Sequence, residues 1–269
     1  MQSNFTTYLF VPATRLDRVA KAFDSGADAI IIDLEDAVEG VGKSEARQAL
    51  IEADKIFKQS YWLRINSAST PDYGHDVAMV QGLCHVQGLL LPKAESALSV
   101  TALHQATSLP IIAAIETAKG VLSIADIATA NGLFAMTYGC LDLAKSLGMT
   151  IGTPSAQVVL DKIRTDLLLH SSVCNLSAPI ETIFADFHDD LGVATFAKYA
   201  QNFGFGGQLL IHPKQVMPIK QATRPDEKML DFAKKVIDLH QRTGQAVFCV
   251  EGKMVDKPVI EWARRMLDD

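Results

Sequence analysis

Acids, two cationic side chains and a histidine stand at the ends of short aliphatic runs in this chain. The runs read Ala29-Ile30-Ile31-Ile32-Asp33-Leu34-Glu35-Asp36, Trp62-Leu63-Arg64-Ile65-Asn66, Leu89-Leu90-Leu91-Pro92-Lys93, Ile111-Ile112-Ala113-Ala114-Ile115-Glu116 and Leu209-Leu210-Ile211-His212-Pro213. A near-continuous aliphatic run of this length is the pattern of a parallel strand buried on both faces. Polar groups repeated at one end of several such strands would meet at a single face, and that face is where chemistry belongs.

Each group admits a chemical and a structural reading. Glu116 and Asp142, the latter after Tyr138-Gly139-Cys140-Leu141, would be delivered by neighbouring strands. Two carboxylates with waters and substrate oxygens suit a hard divalent cation, Mg²⁺ best; as helix N-terminal acids they would instead contribute roughly 0.3–1 kcal/mol each. Strand alternation puts Asp33 and Glu35 on one face and Asp36 opposite or already in the loop. These acids could hold metal-bound waters or fix an arginine, or pair with Lys43 or Arg47 and cap the loop. Arg64 points away from Leu63 and Ile65; its planar fork suits a carboxylate or an α-keto acid oxygen, or a structural pair with Glu35 or Asp36. Lys93 could form an imine, clamp a ligand or start a helix. His212 is either a base or a histidine held in a turn. His75, His85, His104, His170, His188 and His240 lack ligand spacing, and neither G-x-S-x-G nor H-E-x-x-H occurs, so serine-hydrolase and zinc-protease chemistry drop out.

The elements that must position these groups alternate. Strand-like runs fall near residues 8–13, 29–36, 62–66, 88–93, 111–116, 133–139, 178–187 and 208–213, the seventh the weakest. Amphipathic helical patterns follow over 43–58, 15–25, 95–106, 119–130, 156–170 and 194–203. Eight alternations in about 240 residues predict a closed (β/α)8 TIM barrel over residues 1–243. A dinucleotide-binding sheet is disfavoured because Gly204-Phe205-Gly206-Gly207 precedes a strand when a phosphate loop should follow one. Residues 244–269 form a further unit: a strand at Ala246-Val247-Phe248-Cys249-Val250, a turn at Glu251-Gly252-Lys253 and a helix from Pro258. Too short to fold alone, it is expected to pack as a lid over the barrel or on a neighbouring subunit.

With 269 residues, 48% hydrophobic and 21% charged, the chain can bury a large core without disulfides or metal staples. A net charge of −6 offers no basic field to nucleic acid or anionic lipid. Asp33, Lys93, Glu116, Asp126 and Asp142 interrupt every run that might approach the roughly 18 apolar residues of a membrane span. Met1-Gln2-Ser3-Asn4-Phe5 lacks the pattern of a secretory leader, so the cytoplasm is the expected location. Cys84, Cys140, Cys174 and Cys249 show no C-x-x-C spacing and read as reduced, mostly buried thiols.

Taken in order, the motifs resemble the citrate lyase beta-subunit family, the branch of acyl-thioester carbon–carbon lyases that includes malyl-CoA and citramalyl-CoA lyases, within the HpcH/HpaI aldolase/citrate lyase superfamily. The resemblance rests on Leu9-Phe10-Val11-Pro12 with Arg15, the block 33–38 with Lys43, Ala46 and Arg47, Arg64-Ile65-Asn66, Leu91-Pro92-Lys93, Ile115-Glu116-Thr117-Ala118, Gly139 with Asp142, Gly148, Ile211-His212-Pro213 with Gln215, and Gly252-Lys253-Met254-Val255-Asp256. It implies a trimer or dimer of trimers and Mg²⁺ on Glu116 and Asp142. It also implies that Arg64 holds substrate oxygens, joined in substrate binding by Arg15 and Lys93, with Glu35 and Asp36 supporting the metal waters and the arginine. Asp256, on the lid, would act as acid or base in a neighbouring subunit's site. The expected reaction is Mg²⁺-dependent cleavage of a β-hydroxyacyl thioester of the malyl-, citramalyl- or citryl-CoA type into acetyl-CoA and an α-keto acid. A metal-dependent aldolase on free hydroxy-keto acids and a non-catalytic keto-acid-binding subunit are the alternatives. Two departures remove positive charge: Thr6-Thr7 replaces a common arginine expected near the carrier's phosphates, and Gln208 replaces a lysine.

Overall fold

The computed structural model describes residues Phe5–Leu267; Met1–Asn4, on which the leader argument rests, and Asp268–Asp269 lie outside it. Eight parallel strands close into a barrel in sequential order. They are β1 (Thr6–Pro12), β2 (Ala29–Asp33), β3 (Tyr61–Arg64), β4 (Val86–Leu91), β5 (Ile111–Ile115), β6 (Leu133–Tyr138), β7 (Ile180–Glu181) and β8 (Gly207–Leu210). The aliphatic runs become strands because both of their faces are covered. Leu9, Val11, Ile30, Ile32, Leu63, Leu89 and Leu91 pack outward under the helices. Tyr8, Ile31, Trp62, Leu90, Ile112, Ala114 and Leu209 fill the interior. This is the packed core of a TIM barrel, so its chemistry must sit at the strand ends. Closure between β8 and β1 brings Gly207 so near that an added Cβ would lie 2.5 Å from the Thr6 carbonyl oxygen. The glycine run 204–207 therefore ends one helix and starts β8 rather than cradling a phosphate.

Helices return the chain between strands, and their starts follow local capping. Ser96 accepts from the Ser99 N–H ahead of helix Ala97–Thr107, and Thr153, followed by Pro154, accepts from Ala156 ahead of helix Pro154–Val173. The pattern over 119–130 resolves into two short helices, Ala118–Leu122 and Ile124–Ile127, broken at Ser123. Helix Asp72–Val80, absent from the sequence reading, follows Pro71 and contains Gly74 and His75, which blur its periodicity. β7 is two residues long, the shortest barrel strand.

Thr6-Thr7 and Gln208 lie at the N-terminal ends of β1 and β8, the end opposite the polar strand ends, and Thr7 pairs in register with Gln208. Both residues are fully buried, and Thr7 Oγ1 donates to Asp28 Oδ2 at 2.7 Å. Within this chain the two departures thus change the foot of the barrel and leave the charge at its mouth untouched.

The described residues form two compact units, Phe5–Ala222 and the stretch that begins at Thr223. In the latter, helices Glu227–Thr243 and Lys257–Leu267 enclose an apolar core of Ala233, Val236, Phe248, Val250, Val255, Ile260, Ala263 and Met266. The antiparallel pair β9 (Phe248–Val250) and β10 (Lys253–Val255) turns through Glu251 and Gly252. All four cysteines are free; Cys140 is buried, but Cys84 and Cys249 are exposed, which corrects the expectation of mostly buried thiols. Their apolar neighbours in sequence point into the cores while these two side chains point out. No helix among the described residues is long and apolar enough to cross a membrane.

Candidate active site

Arg64 ends β3 beside the end of β2, where Asp33 is its register partner. The pair is bidentate: Nε donates to Asp33 Oδ1 and Nη2 to Oδ2, both at 2.7 Å. Nη1 lies 3.1 Å from Glu35 Oε2 and 3.5 Å from Asp36 Oδ2. The sequence pairs Arg64 with Glu35 or Asp36, and both approach it, but the bidentate partner is Asp33 of the same acidic block. Asp33 is itself fixed by the Glu35 N–H at 2.9 Å and the Ala37 N–H at 3.3 Å. Burial alone would pull the Arg64 guanidinium down, yet the hydrogen bonds and charges of Asp33, Glu35 and Asp36 hold it above its ordinary value. The Phe10 ring lies 4.8 Å from its central carbon. Nε and Nη2 are thus committed to Asp33, while Nη1 faces the carboxylates of Glu35 and Asp36.

Glu116 follows β5 and is 5% exposed. It folds against Gly139, where a Cβ would stand 2.8 Å from Glu116 Cγ; only a residue without a side chain leaves this carboxylate its place. Lys93, two residues past β4, adopts a left-handed φ of 49° and aims its N–H at Glu116 Oε2 at 3.1 Å. Its ammonium reaches Glu35 Oε1 at 2.5 Å and lies 3.6 Å from Glu116 Oε2. Glu116 is pushed up to about 7, first by burial and then by the neighbouring charges of Glu35 and Asp142, with Lys93 and Arg64 offsetting only part of the rise. Burial likewise raises Glu35. Burial alone would lower Lys93, yet its bond to Glu35 and the charges of Glu35, Glu116 and Asp36 together hold it above its ordinary value. An imine needs a neutral amine, so this environment speaks against Schiff-base chemistry.

The ion pairs expected between the acids of 33–36 and Lys43 or Arg47 do not form. Lys43 Nζ instead donates to the carbonyls of Leu34 and Glu35, both at 3.0 Å, and to Asn66 Oδ1. Arg47 meets Asp72 and Asp76, each at 3.0 Å. Asp76, fully buried, accepts from the Asn66 N–H at 2.8 Å and its amide at 2.7 Å. Lys43, Asn66 and Asp76 thus brace the chain beyond β2 and β3. Asp76 escaped the sequence reading because the acid stands inside a helix that the reading had not found.

Above the interior side chains opens a cavity of about 260 Å³, bounded by Asp33, Asp36, Arg64, Glu116 and Asp142 among others. Asp142 is in the first turn of helix Cys140–Leu147, capped at its other end by Gly148. The structure brings Arg64, Glu35, Asp36, Lys93, Glu116 and Asp142 to one mouth. Arg15 also follows a strand at this end, but it is exposed, pairs with Asp17 and does not line the cavity. His212 Nδ1 accepts from the Lys214 N–H at 3.2 Å and its ring stacks on Phe187, the turn arrangement. Asp256 belongs to the other unit, between β10 and the final helix, whose first turn closes through its carbonyl to the Ile260 N–H.

The donors suit a hard cation. Among the described residues no three histidine, cysteine or acidic side chains cluster as a metal cage, and Mg²⁺ usually takes one or two carboxylates while keeping waters. Five mouth acids (Asp33, Glu35, Asp36, Glu116, Asp142) face two cations (Arg64, Lys93), a surplus that a divalent ion would offset. A barrel with charged strand ends, a carboxylate pair and a clamped arginine defines a class of metal-assisted enzymes of carbonyl compounds. Residues 6–213 match the family model HpcH/HpaI aldolase/citrate lyase, and the chain belongs to that family. It is 34% identical over 266 residues to the citrate lyase subunit beta-like protein of Mycobacterium tuberculosis, covering 97% of this chain and 93% of the relative. It is 30% identical to a (3S)-malyl-CoA thioesterase of Cereibacter sphaeroides, covering 98% and 93%. The crystal structure of the protein CitE from Mycobacterium tuberculosis in complex with magnesium, acetoacetate and coenzyme A superposes with a TM-score of 0.87 at 32% identity, covering 100% of this chain and 98% of that one.

Proposed function

We propose that this protein is a Mg²⁺-dependent lyase that cleaves a β-hydroxyacyl-CoA thioester into acetyl-CoA and an α-keto acid. The observation that carries the reading is the surplus of carboxylates around Glu116 beside a half-committed Arg64 in one cavity. Glu116 and Asp142 would hold the ion. When bound, Mg²⁺ supplies a Lewis-acid centre for the substrate's carboxylate and hydroxyl oxygens.

The chain's own residues do the rest. Arg64, immobilised by Asp33 and lining the cavity, would stabilise the oxygen that gathers charge as the carbon–carbon bond breaks. Glu35, shared by Arg64 and Lys93, keeps both cations in place. Asp36, more than half exposed and only 3.5 Å from Arg64, is free to accept the hydroxyl proton. Bond cleavage then leaves an α-keto acid and a thioester enolate, and Asp256 from a neighbouring subunit's C-terminal lid returns a proton to the enolate carbon. Arg15, leaving β1 at the mouth end, would meet the anionic carrier. A homotrimer working in the cytoplasm completes the proposal.

The relative named as a malyl-CoA thioesterase raises a second reading, hydrolysis of the thioester. Both are tested with malyl-, citramalyl- and citryl-CoA, with and without EDTA. Mg²⁺-dependent acetyl-CoA plus keto acid is the expected result; free coenzyme A with an intact hydroxy acid would establish the thioesterase. No reaction with any of the three would turn attention to free hydroxy-keto acids or a binding role.

A further inference from the structure

The cavity restricts which keto acid the reaction can yield, an inference that rests on the proposed lyase reading. Its deeper wall is built from strand-interior side chains, Phe10, Leu90, Ala114 and Leu209, with the neutral Thr137 and Thr182 beside them. Its rim carries Asp33, Asp36, Glu116 and Asp142. Among the described residues lining it, Arg64 is the one cation, and Asp33 already takes two of its N–H groups. Lys93 does not line the cavity and is engaged by Glu35.

A substrate carboxylate beside Arg64 uses what that arginine has left. The charge of a carboxymethyl group on the carbonyl carbon has two places to go. Directed inward it meets aliphatic and aromatic walls with only the neutral hydroxyls of Thr137 and Thr182, where a charge is desolvated without a counter-charge. Directed outward it meets four acids, of which a divalent ion would neutralise only part. A methyl group directed inward has the opposite fate, because it buries apolar area against Phe10, Leu90 and Leu209.

We propose that the carbonyl-bearing fragment is a keto acid with a short uncharged substituent, methyl in preference to hydrogen, and that a carboxymethyl group is excluded. The protein therefore selects the pyruvate-yielding thioester over the glyoxylate-yielding one, and both over the oxaloacetate-yielding one.

The test is calorimetric titration of pyruvate, glyoxylate and oxaloacetate into the protein at saturating Mg²⁺, which reads the site without requiring turnover. Pyruvate should bind on the order of 10-fold more tightly than glyoxylate and on the order of 100-fold more tightly than oxaloacetate. Oxaloacetate binding as tightly as pyruvate would overturn the proposal. Ile211 lines the cavity and is 39% exposed, so Ile211→Lys can add a cation without opening the core. That variant should narrow the pyruvate-to-oxaloacetate gap about tenfold; an unchanged gap would overturn the charge argument. If pyruvate binds in the expected order while no thioester is cleaved, the lyase reading fails and the selectivity stands. If citryl-CoA is cleaved best, the lyase reading stands and the selectivity fails.

Discussion

Two of the arginine–carboxylate clusters in this barrel lie on opposite sides of its wall. Outside the sheet, Arg164 on helix Pro154–Val173 meets Glu181 of β7 through Nε at 2.8 Å and Nη2 at 3.2 Å, and Asp161 through Nη1 at 2.8 Å. Tyr138 OH and the Thr182 N–H also donate to Glu181, and the rings of Tyr138, Phe196 and Tyr199 stand 5.4–5.6 Å from the guanidinium. Arg164 and Glu181 have no exposure to solvent. At the mouth, Arg64 makes an equally tight pair with Asp33 but borders a cavity and stands among more acids than cations. A charge pair closed off from solvent holds structure; a cluster with surplus charge beside open space is prepared to receive something.

The comparison can be broken by mutation. Arg164→Met should lower unfolding free energy by about 3–5 kcal/mol, because it strands Glu181 in the wall; urea unfolding measures this, and an unchanged midpoint would remove the distinction. Arg64→Lys keeps the charge but loses the fork, and should reduce turnover on the order of 10²–10³-fold with a much smaller change in the unfolding midpoint. Glu116→Gln should abolish Mg²⁺-dependent turnover while raising the melting temperature of the metal-free protein at pH 8 by a few degrees, since it relieves repulsion from Glu35 and Asp142. A lower melting temperature in that variant would mean that the carboxylate is anchored by its neighbours.

The smallest expected effect is in pH. Glu116 moves from 4.5 to about 7 on folding, so between those values the folded chain keeps a proton that the unfolded chain has released. Stability of the metal-free protein therefore falls as pH rises through this window, and the loss is complete above about 7. Mg²⁺ competes with that proton, so its affinity should weaken about tenfold per pH unit below 7 and level off above it. A flat affinity from pH 5 to 8 would show that Glu116 is not a ligand.

Much of this was legible in the chain. Eight strand-like runs became eight strands, and the polar ends of the aliphatic ones converge as parallel barrel geometry demands. What stayed hidden depended on partners distant in sequence. Arg64 chose Asp33, 31 positions away, because β2 and β3 align those two residues in register. Lys43 was drawn to backbone carbonyls and Asn66, which no charge pattern announces. Tyr138, Arg164 and Glu181 looked like a strand end, a surface helix and the weakest strand, and only tertiary packing makes them one cluster. The short β7 was hard to see because a two-residue strand has too few positions to show a period.

At Gly139 the barrel has turned an absence into a tool. The place of the Glu116 carboxylate is moulded by the hydrogen atom of a glycine just past the next strand, so its aim is a shared property of the ends of β5 and β6. Any sliding of those strands past one another would be felt at the carboxylate at once. The rigidity of that single seam sets how sharply the mouth can be focused.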